Sequence, residues 1–168
     1  LISLLIYLED KGPILYSQIR TGLNGKRIKI FKFRSMNVDA ERHGIQWSNS
    51  KDKRITKIGH LIRSTRLDEL PQLFCVINGT MSLIGPRPER PEIEMNLLSK
   101  VPYYKLRYKI KPGISGWAQV NCPYGASVSD TKKKLSFDLY YISHFSFFLD
   151  MLILFKTIRI VLSAKGSK

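Results

Sequence analysis

Basic and apolar residues alternate with period two through "KRIKIFKF" (26–33), the signature of a half-buried strand. With the glycines of "GLNGK" just upstream, "EDKGPILYSQIRTGLNGKRIKIFKFRSM" reads as two short strands around a turn. One face of the second strand carries Lys29 and its same-parity neighbours; Ile28, Ile30 and Lys32 share the other. The pattern then lapses over residues 37–54, "NVDAERHGIQWSNSKDKR", a polar stretch expected to be loop, with His43 a surface residue. Helical periodicity returns in "ITKIGHLIRSTRL", where Ile55, Ile58, Leu61 and Ile62 share a face. A second helix is expected through "DELPQLFCVI", ending at "NGT" with Gly79 as a left-handed cap. "MSLIGPRPERPE" is a stiff loop, and an amphipathic helix covers 90–107. "KIKPGISGWAQVNCPYGAS" is a second rigid loop with Trp117 as a stacking or membrane-surface aromatic; "SDTKKKLSFDLYYISHFS" is again helical.

Both ends are more apolar than the middle. The chain opens on "LISLLIYL", which reads as the tail of a longer hydrophobic segment. "FSFFLDMLILFKTIRIVLSAKGSK" is apolar but interrupted by Asp150, Lys156 and Arg159. That composition suits a helix lying in a membrane interface as well as it suits a core helix of a soluble domain. Neither end reaches the roughly 18 uncharged residues that a spanning helix requires. The expected architecture is α/β of α+β character, mostly helical with short strands. It forms one small catalytic domain over 1–168, with 1–8 the remnant of a re-entrant membrane helix and 146–162 an amphipathic interfacial helix.

Charge narrows the partners. Lys and Arg number 28 against 13 Asp and Glu, a formal net charge of +15, so an anionic partner is implied: nucleic acid, anionic lipid or a phosphorylated substrate. The 43% hydrophobic content argues against disorder. Cys75 and Cys122 show no metal-ligand spacing; Cys75 reads as core, and a reducing compartment is the simple inference.

Against that basic background, "TRLDELPQLF" places Asp68 and Glu69 side by side ahead of Pro71. On these ten residues alone the plain account comes first: Asp68 as helix N-cap, with Pro71 at the third helical position where a missing N–H costs nothing. The sharper account holds an ionised carboxylate beside an anion site. Arg63 lies about one turn earlier. Arg87, fixed between Pro86 and Pro88, presents a preorganised fork for phosphate oxygens. Arg107, Lys109 and Lys111 give the second loop its charge, and Asp138, set among Leu135, Leu139 and Tyr141, is half buried and needs a partner. Paired acids, rigid arginine-bearing loops and membrane-like ends together fit transfer of a phosphorylated group to a lipid. In such chemistry a carboxylate attacks phosphorus while cations neutralise the phosphoryl oxygens.

In this order "KIFKFRSM", "LIRSTRLDELPQLFCVINGTMSLIGPRPERPE", "YKIKPGISGWAQVN" and "FDLYYI" resemble the successive motifs of the bacterial sugar transferases, the monotopic polyprenol-phosphate phosphoglycosyl transferases. "NCPYGAS" and "GPRPERPE" are similar to the exopolysaccharide-initiating branch, whose members often carry extra N-terminal domains. The resemblance implies a Mg²⁺-dependent transfer of a sugar 1-phosphate from a UDP-sugar to undecaprenyl phosphate. UMP leaves, and Asp68 carries a covalent phosphosugar, the helix dipole keeping it ionised. Glu69 would assist as a metal ligand or by orienting the acceptor phosphate. Arg63 and Arg87 match the family's phosphate-contacting arginines, Arg107 and Lys111 of the basic loop are expected to bind phosphate beside them, and Asp138 and Asp150 match later acidic positions with supporting roles or metal roles alongside Asp68 and Glu69. The implied setting is one leaflet at the cytoplasmic face of the bacterial inner membrane, without nucleic acid, and with self-association open. Departures are visible. The Ser-Pro break of the family's first helix is absent, Thr80 stands where many relatives have an acid, and Cys122 to Tyr124 fall in a loop that bears on sugar choice. The competing readings are a basic nucleic-acid-binding module, which the acids at 68, 69, 138 and 150 would disfavour, and a membrane scaffold with a dead site, which the presence of Asp68 disfavours.

Overall fold

The computed structural model describes residues 1–42, 44, 52–122 and 127–163; His43 and the loop residues through Tyr124 to Ala126 lie outside them. Helix α1 (Ile2–Glu9) leads into an antiparallel hairpin of β1 (Leu15–Thr21) and β2 (Arg27–Phe33), with Gln18 opposite Ile30. The turn is closed by Asn24 in the left-handed region (φ 54°), which asparagine tolerates. Ile30 is buried against Cys75 and Met81, so the alternation read from the sequence faces the core as expected.

α2 (Lys57–Ser64) is capped by Thr56, whose hydroxyl accepts from the Gly59 amide. The Glu9 carboxylate accepts from the amides of Lys57 (2.7 Å) and Ile58 (2.8 Å), so the end of α1 occupies the positive end of the α2 dipole. A tight 3₁₀ turn over Leu67–Gln72 runs into α3 (Leu73–Ile77), which stops where Gly79 turns left-handed at φ 77°. Thr80 ties this turn down by donating to the Cys75 carbonyl, and its amide bonds the Asn78 side chain.

Two further elements differ from the sequence pattern. The helix expected over 90–107 is two pieces, α4 (Pro91–Lys100) and a 3₁₀ turn Tyr104–Lys109. Pro102 bars its predecessor Val101 from the helical region, and Tyr103 swings to φ 62°. The rigid loop after it contains β4 (Gly113–Ser115), parallel to β3 (Ser82–Ile84), and the short helix α5 (Trp117–Asn121). Glycine makes that pairing possible: a Cβ on Gly113 would sit 2.1 Å from the Gly85 nitrogen.

α6 (Val128–His144) starts with a capping box between Ser127 and Asp130. α7 (Phe147–Leu162) buries Ile153 with Ile84 and Tyr141, yet leaves Phe148 84% and Leu162 81% exposed. Among the described residues no helix is long and apolar enough to cross a membrane. The described residues are thus mostly helical with two small sheets, the α+β class expected.

Candidate active site

The acidic pair sits at the junction of α2, β2 and the Pro86–Pro88 loop. Arg66, at φ 58°, reverses the chain out of α2 and occupies the cap position of the 3₁₀ turn without any side-chain cap bond. Asp68 is therefore not the N-cap that the sequence suggested; it lies one residue inside the turn, and Pro71 lies within it. Pro71 is the fifth residue of the turn, past the Glu69 amide that already bonds the Arg66 carbonyl, so its missing N–H falls inside the turn and not among the unpartnered first positions that the sequence suggested.

Glu69 is the fixed member of the pair. Its Oε1 accepts from Lys32 Nζ at 2.7 Å and from Arg87 Nη2 at 2.5 Å, while Oε2 receives a longer 3.4 Å contact from Arg87 Nη1. Burial pushes this carboxyl up, but Arg87 and Lys32 together hold it well below the usual range. Glu69 in turn raises Arg87, whereas Lys32 is lowered by its own burial despite Glu69.

Asp68 is the unencumbered member. It is 8% exposed, and among the described residues its carboxylate accepts no hydrogen bond. Burial pushes the Asp68 carboxyl above its ordinary value, against the opposing pull of Lys32, Arg87 and Arg63. The restraining field therefore comes mainly from these three cations, and a helix dipole has little part in a turn this short. A buried, unbonded carboxylate with its basicity raised is a better nucleophile than a solvated one.

The Pro-Arg-Pro loop is held from behind. Arg107 donates to the Arg87 carbonyl (2.8 Å), to Asp138 Oδ2 (2.9 Å) and to the Tyr104 hydroxyl (2.6 Å). Arg20 donates to the Pro88 carbonyl (3.2 Å) and lies 3.6 Å from Glu89; burial brings its guanidinium down to about 10. Two buried guanidiniums thus clamp successive carbonyls and fix the direction of the Arg87 fork.

The sequence-predicted residues divide accordingly. Asp68, Glu69, Arg87 and, through the field at Asp68, Arg63 are brought together. Arg107 stands behind them; its side chain is 8% exposed and donates to Asp138 and to the loop carbonyl of Arg87. Asp138 (2% exposed) pairs with Arg107, and Asp150 accepts from the Tyr141 hydroxyl at 2.6 Å. The four acids therefore do not form one metal cage, and among the described residues no cluster of three or more ligating side chains exists. The Lys111 ammonium lies over the turn at Gly79, 3.7 Å from where a Cβ would be. Lys32 and Arg20 were missed. Lys32 carried a signal, a lone base on the face it shares with Ile28 and Ile30; Arg20 carried none.

Comparison with known proteins follows the same lines. A family model described as "Bacterial sugar transferase" matches residues 1–164. A UDP-N-acetylgalactosamine-undecaprenyl-phosphate N-acetylgalactosaminephosphotransferase of Aeromonas hydrophila is 46% identical over 166 residues, 99% of this chain and 39% of that protein. The UDP-glucose:undecaprenyl-phosphate glucose-1-phosphate transferase of Escherichia coli (strain K12) is 40% identical over 94% of this chain and 34% of its own. An exopolysaccharide production protein, PSS, of Rhizobium leguminosarum bv. phaseoli is 40% identical over 94% of this chain and 82% of that protein. The chain thus spans well under half the length of the first two.

Proposed function

As the chain belongs to the bacterial sugar transferase family, we propose that it moves a sugar 1-phosphate from a UDP-sugar to undecaprenyl phosphate, an opening step of exopolysaccharide or related glycan assembly. The observation that carries this reading is the unbonded, buried Asp68 carboxylate held beside Glu69, Lys32, Arg87 and Arg63. An Asp68 oxygen attacks the sugar-bearing phosphorus, and the bond from that phosphorus to the bridging oxygen breaks. UMP leaves with the electron pair. An oxygen of the acceptor phosphate then attacks the same phosphorus, freeing the Asp68 carboxylate and giving the lipid diphosphate-sugar. Arg87 and Lys32 neutralise phosphoryl oxygens in both steps, and Glu69 keeps those two cations oriented between them.

The residues present fit a Mg²⁺ ion that arrives with the diphosphate. Such ions take one or two carboxylates and fill the rest of their shell from phosphate and water. Asp68 accepts no hydrogen bond among the described residues, and Glu69 Oε2 has only the 3.4 Å contact, so these two would hold it. Bound there, the ion would supply charge to the phosphoryl oxygens.

The reading places the domain on one leaflet, at the cytoplasmic face. The exposed apolar residues Leu1, Leu4 and Leu8 at the start of the chain and Phe148, Phe155 and Leu162 of α7 support the one-leaflet part of it. Membranes bearing the full-length protein should therefore release it to detergent and not to 1 M salt (about a 3 Å screening length). A nucleic-acid-binding module would come off with salt, and release by salt alone would refute the interfacial placement.

The central test incubates full-length enzyme with undecaprenyl phosphate and a panel of UDP-sugars and scores UMP. One or a few sugars should give acceptor-dependent UMP release with a lipid-linked product. Turnover with none of them sinks the reading.

A further inference from the structure

A groove of roughly 140 Å³ lies between Glu69, the neighbour of Asp68, and the inner side of α7. Its apolar walls are Leu70, Leu73, Ile114, Val120, Ile160 and Val161. Leu70 and Leu73 stay 45% and 41% exposed, so the groove is open along its rim. Two hydroxyls line it, but they satisfy one another: Ser115 Oγ lies 2.6 Å from Thr157 Oγ1, which donates to the Ile153 carbonyl at 2.7 Å. The wall they form therefore behaves as apolar. At one end the groove is polar, where Arg66 and Glu69 line it.

We propose that this groove seats the first part of the hydrocarbon chain of the lipid-phosphate acceptor, with its phosphate at the Arg66–Glu69 end. The proposal rests on the transferase reading and assigns the acceptor a place within it. Charge complementarity favours an anion at that end: Arg63, Arg66, Lys32 and Arg87 stand against Asp68 and Glu69, a local excess of positive charge. Apolar walls favour a hydrocarbon over a sugar, whose hydroxyls would be stripped of water there without partners. The same helix that supplies Thr157, Ile160 and Val161 turns Phe148, Phe155 and Leu162 outward. A bilayer against that outer face would bring the acceptor's hydrocarbon chain to the helix that lines the groove. One atom pulls the other way. Gln119 Oε1 is buried on this wall with no partner among the described residues, and it would accept from a donor sugar. The test is therefore two-sided.

Full-length enzyme in nanodiscs is compared with Leu73→Trp and, separately, Val161→Trp, each of which fills the groove from a different wall. KM for undecaprenyl phosphate and KM for the UDP-sugar are measured side by side. The expected result is an acceptor KM raised at least tenfold relative to the donor KM in both variants. A rise confined to the donor KM means that the groove holds the sugar, and unchanged constants mean that it holds neither; either overturns the proposal. Misfolding of a variant is bypassed on the wild type, using an undecaprenyl phosphate analogue with a diazirine in its first isoprene unit. Crosslinks should fall within 114–120 or 157–161. Crosslinks elsewhere overturn the groove, whereas crosslinks there without any UMP release overturn the transferase reading and leave the groove standing.

Discussion

Asp68→Asn is expected to abolish turnover, with UMP release falling by ~10³-fold or more, while the fold survives. The side chain keeps its size and loses only the charge and the nucleophilic oxygen. Among the described residues no hydrogen bond of the Asp68 carboxylate is forfeited, and a repulsion with Glu69 is relieved. Stability should therefore hold or rise, because burial already disfavours the ionised form of this carboxyl. A second readout separates nucleophile from bystander. With donor alone, the parent enzyme should release a stoichiometric burst of UMP as Asp68 becomes phosphorylated, and the Asn variant should release none. A burst of normal amplitude from Asp68→Asn would remove Asp68 from the nucleophile role. Glu69→Gln is a different perturbation, since it strands Lys32 and Arg87, two cations that the carboxylate now holds at 2.7 Å and 2.5 Å.

How much of this arrangement was legible in the sequence depended on whether the signal was local. The hairpin, α2, α6 and the acidic pair announce themselves through short-range pattern: period two at 26–33, apolar spacing at 55–62, two carboxylates in a basic chain. The Pro-Arg-Pro stiffness is local as well. Lys32 illustrates the limit. Parity placed it on the face with Ile30, but only the packing of β2 against the 67–72 turn shows that this face ends at Glu69. β3 and β4 are three residues each, paired across about thirty positions, and so short a run carries no periodicity to read. The cut in the 90–107 helix was legible in principle, since Pro102 restrains Val101, but the amphipathic pattern masked it. Asp138 was read as needing a partner and Arg107 as a phosphate ligand of the basic loop. Their 31-residue separation concealed that they serve one another.

That pairing sets up the other large effect. Asp138→Asn should destabilise the domain by about 3–5 kcal/mol, because it leaves the Arg107 guanidinium buried without its counter-ion. Asp138 is 2% exposed, its distance to Arg107 is 2.9 Å, and its removal cannot be made good by water. At about 2–4 °C per kcal/mol for a domain of this size, the melting temperature falls by roughly 6–20 °C. The same substitution slackens the hold of Arg107 on the Arg87 carbonyl, so activity measured well below the new melting point falls too. The double variant Asp138→Asn with Arg107→Met separates these consequences. Removing both charges restores much of the stability, since burial of an apolar side chain replaces an unpaired cation. It does not restore the donor to the Arg87 carbonyl, so turnover stays low. A metal-ligand role for Asp138 predicts something else: unchanged melting in EDTA and a loss of activity rescued by high Mg²⁺. Melting like the parent enzyme in EDTA would show that the ion pair carries no weight and would return Asp138 to the metal site.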